Sequence, residues 1–156
     1  MTILDDILKK YGLVMPDPTV KAGVYDKVKE FGSNFCYLSG CTPTFNGELR
    51  WAGKVGKELS IEQGQEAARL CGLNLLANFL EKYGNLEKIK QIVKILVFVA
   101  GSEDFFQQPK VANGASELFV DILGEEAGCG ARSAIGVYTL PGNAPVEVEM
   151  LIELNL

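Results

Sequence analysis

The sequence predicts an α+β sandwich: a mixed β-sheet carrying two long helices on one face. Three observations support that expectation. Residues 60–80 and 110–123 each repeat apolar side chains at helical spacing, and glycines (Gly84, Gly124) follow them as stops. Between these helices Ile95, Leu96, Val97, Phe98 and Val99 are apolar without alternation, the pattern of a central strand covered on both sides. Near the end of the chain, Val146, Val148, Met150, Ile152 and Leu154 mark one apolar face of a strand. The element order is helix, strand, strand, short strand, helix, strand, helix, strand, strand, which suits two packed layers.

Thr2 with Asp5 three residues later predicts a capped first helix, with Ile3, Leu4, Ile7, Leu8 and Tyr11 as its stripe and Gly12 as its stop. Residues 15–20 carry two prolines and read as a connector. Strands are expected over residues 24–31 and 35–38, joined through Gly32, Ser33 and Asn34, with a short strand around residues 49–51. Residues 41–57 read as a long Gly-rich loop, a kind of segment that commonly carries specificity, with no residue in it given a role. Ser60 and Gln63 make a capping box for the longest helix, whose stripe includes Ala67, Leu70, Cys71, Leu75 and Leu76. A strand over residues 90–99 precedes the second helix, whose stripe is Val111, Ala115, Leu118, Phe119 and Ile122. A hairpin over residues 132–154 is expected to close the chain. No repeat or linker interrupts it, so residues 1–156 are read as one domain, with residues 1–19 as an N-terminal extension. Oligomerisation is the simplest cover for the second sheet face.

Composition narrows the function. With 47% hydrophobic and 22% charged residues, the chain has the make-up of a folded domain. A net charge of −5, with lysines scattered among acids, argues against a nucleic-acid partner. No apolar run is long enough to span a bilayer. Cys36, Cys41, Cys71 and Cys129 form no Cys-x-x-Cys pair, and the chain has no histidine to complete a zinc set, so no metal or cofactor is expected. No secretory signal precedes these cysteines, and reduced thiols in a cytoplasmic protein are the plain expectation.

Familiar catalytic motifs fail on inspection. The stretch Gly53-Lys54-Val55-Gly56-Lys57 lacks the phosphate-loop glycine, since Trp51 stands there, and has Glu58 where Ser or Thr is needed. Without histidine, Ser39, Ser133 and the cysteines are not credible hydrolase nucleophiles. Arg132 and Glu147 remain: a permanently charged fork suited to carboxylates, and a strand glutamate able to hold or deprotonate a water. Asn113-Gly114 inside a helix is a second anomaly, because both residues are poor helix formers. Taken singly, each has an ordinary structural explanation: a surface arginine, a solvated glutamate, close helix packing, and for Tyr25 an amphipathic core edge.

Taken together, Gly23-Val24-Tyr25, Leu38-Ser39-Gly40, Val111-Ala112-Asn113-Gly114 and Ala131-Arg132-Ser133, with Leu140-Pro141 and Val146-Glu147-Val148-Glu149, resemble the YjgF/RidA family over about residues 20–154. Residues 62–69 and 113–116 look closer to its longer members. The resemblance implies a chorismate-mutase-like fold with an extra N-terminal helix, assembled as a homotrimer with ligand clefts between subunits. It implies hydrolysis of reactive enamines and imines to 2-oxo acids and ammonia. Arg132 would grip the substrate carboxylate and Glu147 would orient water, while Tyr25, Ser39, Gly40, Asn113, Ser133 and Ala134 would line the cleft. Ala134 and Gly130 depart from residues common in the family, altering the cleft wall. A trimeric protein that binds a small carboxylate without turnover is the alternative, and the family's older endoribonuclease and translation-inhibitor labels rank third. If the C-terminal strands form a hairpin turning at residues 140–145, Arg132 and Glu147 sit about 20 Å apart along it. The site would then need Arg132 of one protomer and Glu147 of another.

Overall fold

Local capping chemistry places the helices of the computed structural model, which describes residues 2–156. Thr2 Oγ1 accepts the Asp5 N–H at 3.1 Å, and Asp5 returns a bond to the Thr2 N–H, starting α1 (Ile3–Lys10). The same reciprocal pair, Ser60 with Gln63, starts α2 (Ile61–Tyr83). Gly84 ends α2 with φ of 82°, a left-handed cap that a side chain would strain. The third helix, α3 (Gln108–Leu123), starts two residues earlier than its apolar repeat, because Pro109 is tolerated in a first turn. A single turn, α4 (Glu125–Gly128), follows it and was not legible in the sequence.

The main sheet has the strand order β1-β2-β7-β5-β6, with β1 (Val28–Phe31), β2 (Phe35–Cys41), β5 (Ile89–Ala100), β6 (Ala131–Val137) and β7 (Val146–Leu154). A separate two-stranded ribbon pairs β3 (Thr44–Phe45) with β4 (Glu48–Leu49). Val97, Val99, Val146, Val148 and Ile152 are fully buried beneath α2 and α3, which contribute Leu75, Leu76, Phe79, Leu118 and Phe119 to the same core. This is the predicted mixed sheet with two long helices on one face.

Three expectations change. The first strand begins at Val28 rather than Val24, whose side chain is fully exposed. Residues before Val28 have no partner strand, because β2 bulges after Leu38 and only Lys27 O reaches the Ser39 N–H, at 3.0 Å. The short strand at residues 49–51 is instead one arm of a ribbon turning at Asn46-Gly47, with Asn46 at φ 50°.

The third change matters most. Residues 132–154 do not form a hairpin. Instead β6 pairs parallel with β5, Arg132 opposite Ile95, and β7 lies between β2 and β5, Glu147 opposite Phe98. The physical reason lies in sidedness and connection. β5–α3–β6 is a helical crossover, which delivers a parallel strand. β7 buries a complete apolar face and takes the interior position, while β6, with Arg132, Ser133 and Gly136, is polar enough for an edge. The connection between them passes the end of β5, held where Ala100 N–H donates to Pro145 O and Gly53 N–H to Asn143 O, both at 2.9 Å.

Candidate functional site

In the observed register Arg132 and Glu147 are separated by β5, by three residues along that strand and by two strand spacings across it. That amounts to roughly 14 Å between backbones, shorter than the hairpin estimate. Their faces differ as well. Partners directly opposite share a sheet face. Ile95 is buried under the helices, so Arg132 points to the helix side; Phe98 lies on the open side, and so does Glu147.

The arginine half stands at the β6 edge. Arg132 Nη1 donates to Asn113 Oδ1 at 2.7 Å and to Ser116 Oγ at 3.2 Å, both on α3. Nε and Nη2, the edge of the guanidinium that fits a carboxylate, have no hydrogen-bond partner among the described residues. The odd helical pair has a cause here. Asn113 orients the arginine, while a Cβ at Gly114 would lie 2.0 Å from Gln65 O of α2, so only glycine permits that approach. Ala134 lies on the same side as Arg132 and packs against the core. Ser133 points to the other face, where its hydroxyl accepts from Lys94 Nζ at 2.7 Å. Of the residues expected around the arginine, Asn113 is in contact with it and Ser133 is turned away.

The glutamate half stands at β2 and β7. Glu147 is half-buried and makes no hydrogen bond or ion pair among the described residues. Burial raises its carboxyl above the usual range, and the nearby Glu149 carboxylate adds to that rise. Glu149 is itself engaged, accepting from Tyr37 Oη at 2.7 Å. Glu147 Oε1 hangs over Gly40: a Cβ on Gly40 would sit 2.2 Å from it. Gly40 and Tyr25 both line a cavity of about 470 Å³ at the edge of β2. Tyr25 Oη accepts the Ala22 N–H at 3.3 Å, and Ser39 Oγ donates to Asp26 O at 2.6 Å, fixing the bend that precedes β1. Cys41, beside Gly40, is no nucleophile, since burial pushes its thiol up to about 12.

Two residues of this half escaped the sequence reading. Asn74 and Asn78 are buried in the core-facing stretch of α2. Asn74 Nδ2 donates to Thr42 O at 3.1 Å and Thr44 O at 2.7 Å, while Asn78 Oδ1 accepts the Thr19 N–H at 2.8 Å. Two asparagines one helical turn apart, amid Leu73, Leu75, Leu76 and Phe79, were the available signal, since buried amides require partners.

Comparison with known proteins agrees with this architecture. Residues 6–154 match the family described as "YjgF/chorismate_mutase-like, putative endoribonuclease". Protein TCP17 of Trypanosoma cruzi is 38% identical over 148 residues, covering 95% of this chain and 92% of that protein. The crystal structure of Atu1372 from Agrobacterium tumefaciens, a protein of unknown function, superposes with a TM-score of 0.90 at 35% identity, covering 97% of this chain and 92% of that one. A Shewanella oneidensis structure named a "putative endoribonuclease" superposes at 0.91 with 29% identity, covering 98% and 100%. The α+β sandwich is thus of the chorismate-mutase-like type, and the chain belongs to the YjgF/RidA family.

Proposed function

We propose that this protein hydrolyses small 2-imino acids to 2-oxo acids and ammonia, at sites where Arg132 of one protomer meets Glu147 of another in a homotrimer. The observation that carries the proposal is the pairing of two incomplete halves. The β6 edge offers an arginine whose carboxylate-binding side has no partner among the described residues, and β7 offers a half-buried carboxylate with a raised pKa and likewise no partner among them. Within one chain they lie on opposite faces of the sheet, so a substrate of a few atoms bridges them only between copies. The open face, bearing Leu96, Phe98, Leu151 and Ile135, supplies apolar surface for such an assembly.

The chemistry requires little more. An enamine tautomerises to the imine, water adds to its C2 carbon, and the resulting carbinolamine expels ammonia to leave the 2-oxo acid. Arg132 fixes the substrate carboxylate; Glu147, ionised, takes a proton from the attacking water and returns it to the leaving nitrogen. No covalent intermediate with the protein is needed.

Subunit complementation tests this assignment. Arg132→Ala and Glu147→Gln proteins, each inactive alone in suppressing semicarbazide-trapped imine, should recover activity when unfolded and reassembled together. Failure of the mixture to recover, with mixed trimers present, would remove the shared site. The alternative, carboxylate binding without turnover, predicts calorimetric binding of a 2-oxo acid and no suppression by the wild type. Ribonuclease action is the weaker reading, because no lysine or arginine among the described residues lines the cavity, and Lys27, Lys29 and Lys82 pair with Glu81, Asp26 and Glu30.

A further inference from the structure

The cavity beside Gly40 is walled by two segments that α2 holds in place. A strap, residues 17–22, crosses the edge of β2 where β1 no longer covers it. Asn78 grips the strap at Thr19, and Asn46 Oδ1 accepts the Asp17 N–H at 2.9 Å. Opposite the strap, Asn74 holds the carbonyls of Thr42 and Thr44, and so fixes the start of the β3–β4 ribbon. The walls are therefore rigid even though they are built from loops.

Their chemistry is selective. Thr42 and Thr44 line the cavity, and the hydroxyl of neither makes a hydrogen bond among the described residues. Tyr25 Oη only accepts within the protein, which leaves its proton free to donate. Among the described residues no lysine or arginine lines the cavity, and Asp17 is the only charged residue that does. Such a wall suits a neutral group that both donates and accepts, and it disfavours a second carboxylate beside Asp17 and Glu147. Gly40 lines the cavity and also lies directly under the Glu147 carboxylate, so this one residue joins the cavity to the candidate base.

We infer that this cavity is a side-chain subsite selecting 2-imino acids with an uncharged polar side chain, such as a carboxamide or hydroxyl, with Thr42, Thr44 and Tyr25 as its specificity-determining residues. The inference rests on the deaminase proposal for the reaction but not for the binding preference.

Two measurements separate them. Amino-acid oxidases supply imines from asparagine, from leucine (of nearly the same shape) and from aspartate, and semicarbazide trapping reports how fast the protein removes each. Wild type should favour the asparagine-derived imine over the other two by about tenfold, the worth of one to two net hydrogen bonds. Thr42→Val/Thr44→Val, which keeps side-chain shape, should bring the asparagine-to-leucine ratio close to one. Equal wild-type rates, or a ratio unmoved in the double variant, overturn the subsite. If wild type removes none of the imines, deamination falls, and calorimetry with the stable 2-oxo acids of asparagine and leucine decides the subsite: a preference for the carboxamide that the double variant loses upholds it, and equal affinities overturn it.

Discussion

The β6 edge of the sheet and its β2–β7 interior solve the problem of a polar group near the core in opposite ways. At the β6 edge, Arg132 is held by Asn113 and Ser116, and the contact of α3 with α2 depends on Gly114. At the β2–β7 side, Glu147 is left without a partner among the described residues, half-buried above a glycine. A charge braced on one side is oriented with its other side free; one with no partner is kept in a higher-energy state that a substrate or water can relieve. The difference shows which group is positioned in advance and which is kept reactive.

The comparison breaks most sharply at Glu147. Glu147→Gln should lower the rate of imine removal by about 10²–10⁴-fold, the usual worth of a positioned base, while leaving the fold intact by circular dichroism. Because burial raises its pKa above the unfolded value, the folded state holds that proton more tightly. Stability from this group is then present below the unfolded pKa and is lost as pH rises through the folded one. The glutamine variant should therefore be more stable than wild type at neutral pH and lose that advantage in acid, as read by urea titration at several pH values. In the wild type the acid limb of kcat/KM should fall above the ordinary glutamate range and vanish in the variant. A limb at the usual carboxylate pKa would mean that Glu147 is solvated in the assembled site.

On the β6 side, Gly114→Ala drives a methyl into the α2 backbone and should cost about 3 kcal/mol, an overpacking penalty at the upper end because backbone cannot step aside. An unchanged denaturation midpoint would show that α2 and α3 can part freely. Arg132→Ala should weaken 2-oxo acid binding by about 1.5–3 kcal/mol in calorimetry, as for a charge-assisted hydrogen bond. Unaltered affinity would return Arg132 to an edge-strand surface role. Tyr37→Phe, which frees Glu149 at the exposed surface, is expected to change stability by about 1 kcal/mol or less; a larger loss would extend the reactive region beyond Glu147.

Elements whose signals are local were legible in the chain: both capping boxes, the Gly84 stop, the apolar repeats of α2 and α3, and the unbroken apolar run of β5. The Asn46-Gly47 turn is just as local, but strands of only two residues carry no alternation to mark it. The pairing of β6 and β7 was not legible. Hairpin and crossover present the same alternation along each strand, and only competition for the centre of the sheet separates them. Asn74 and Asn78 were visible as residues, but their partners, Thr42, Thr44 and Thr19, lie 30 to 59 positions away.

By itself the sequence determined the places of α1, α2, α3 and the central strand, and that an arginine and a glutamate of complementary chemistry are present, since capping, periodicity and side-chain type are properties of neighbours along the chain. Tertiary structure alone decided that those two groups face opposite sides of one sheet, that Gly40 lies beneath the glutamate, and that a strap gripped by buried Asn78 and a ribbon gripped by buried Asn74 wall the cavity beside it. Strand order and sheet face are settled by which apolar surfaces bury one another across the whole molecule.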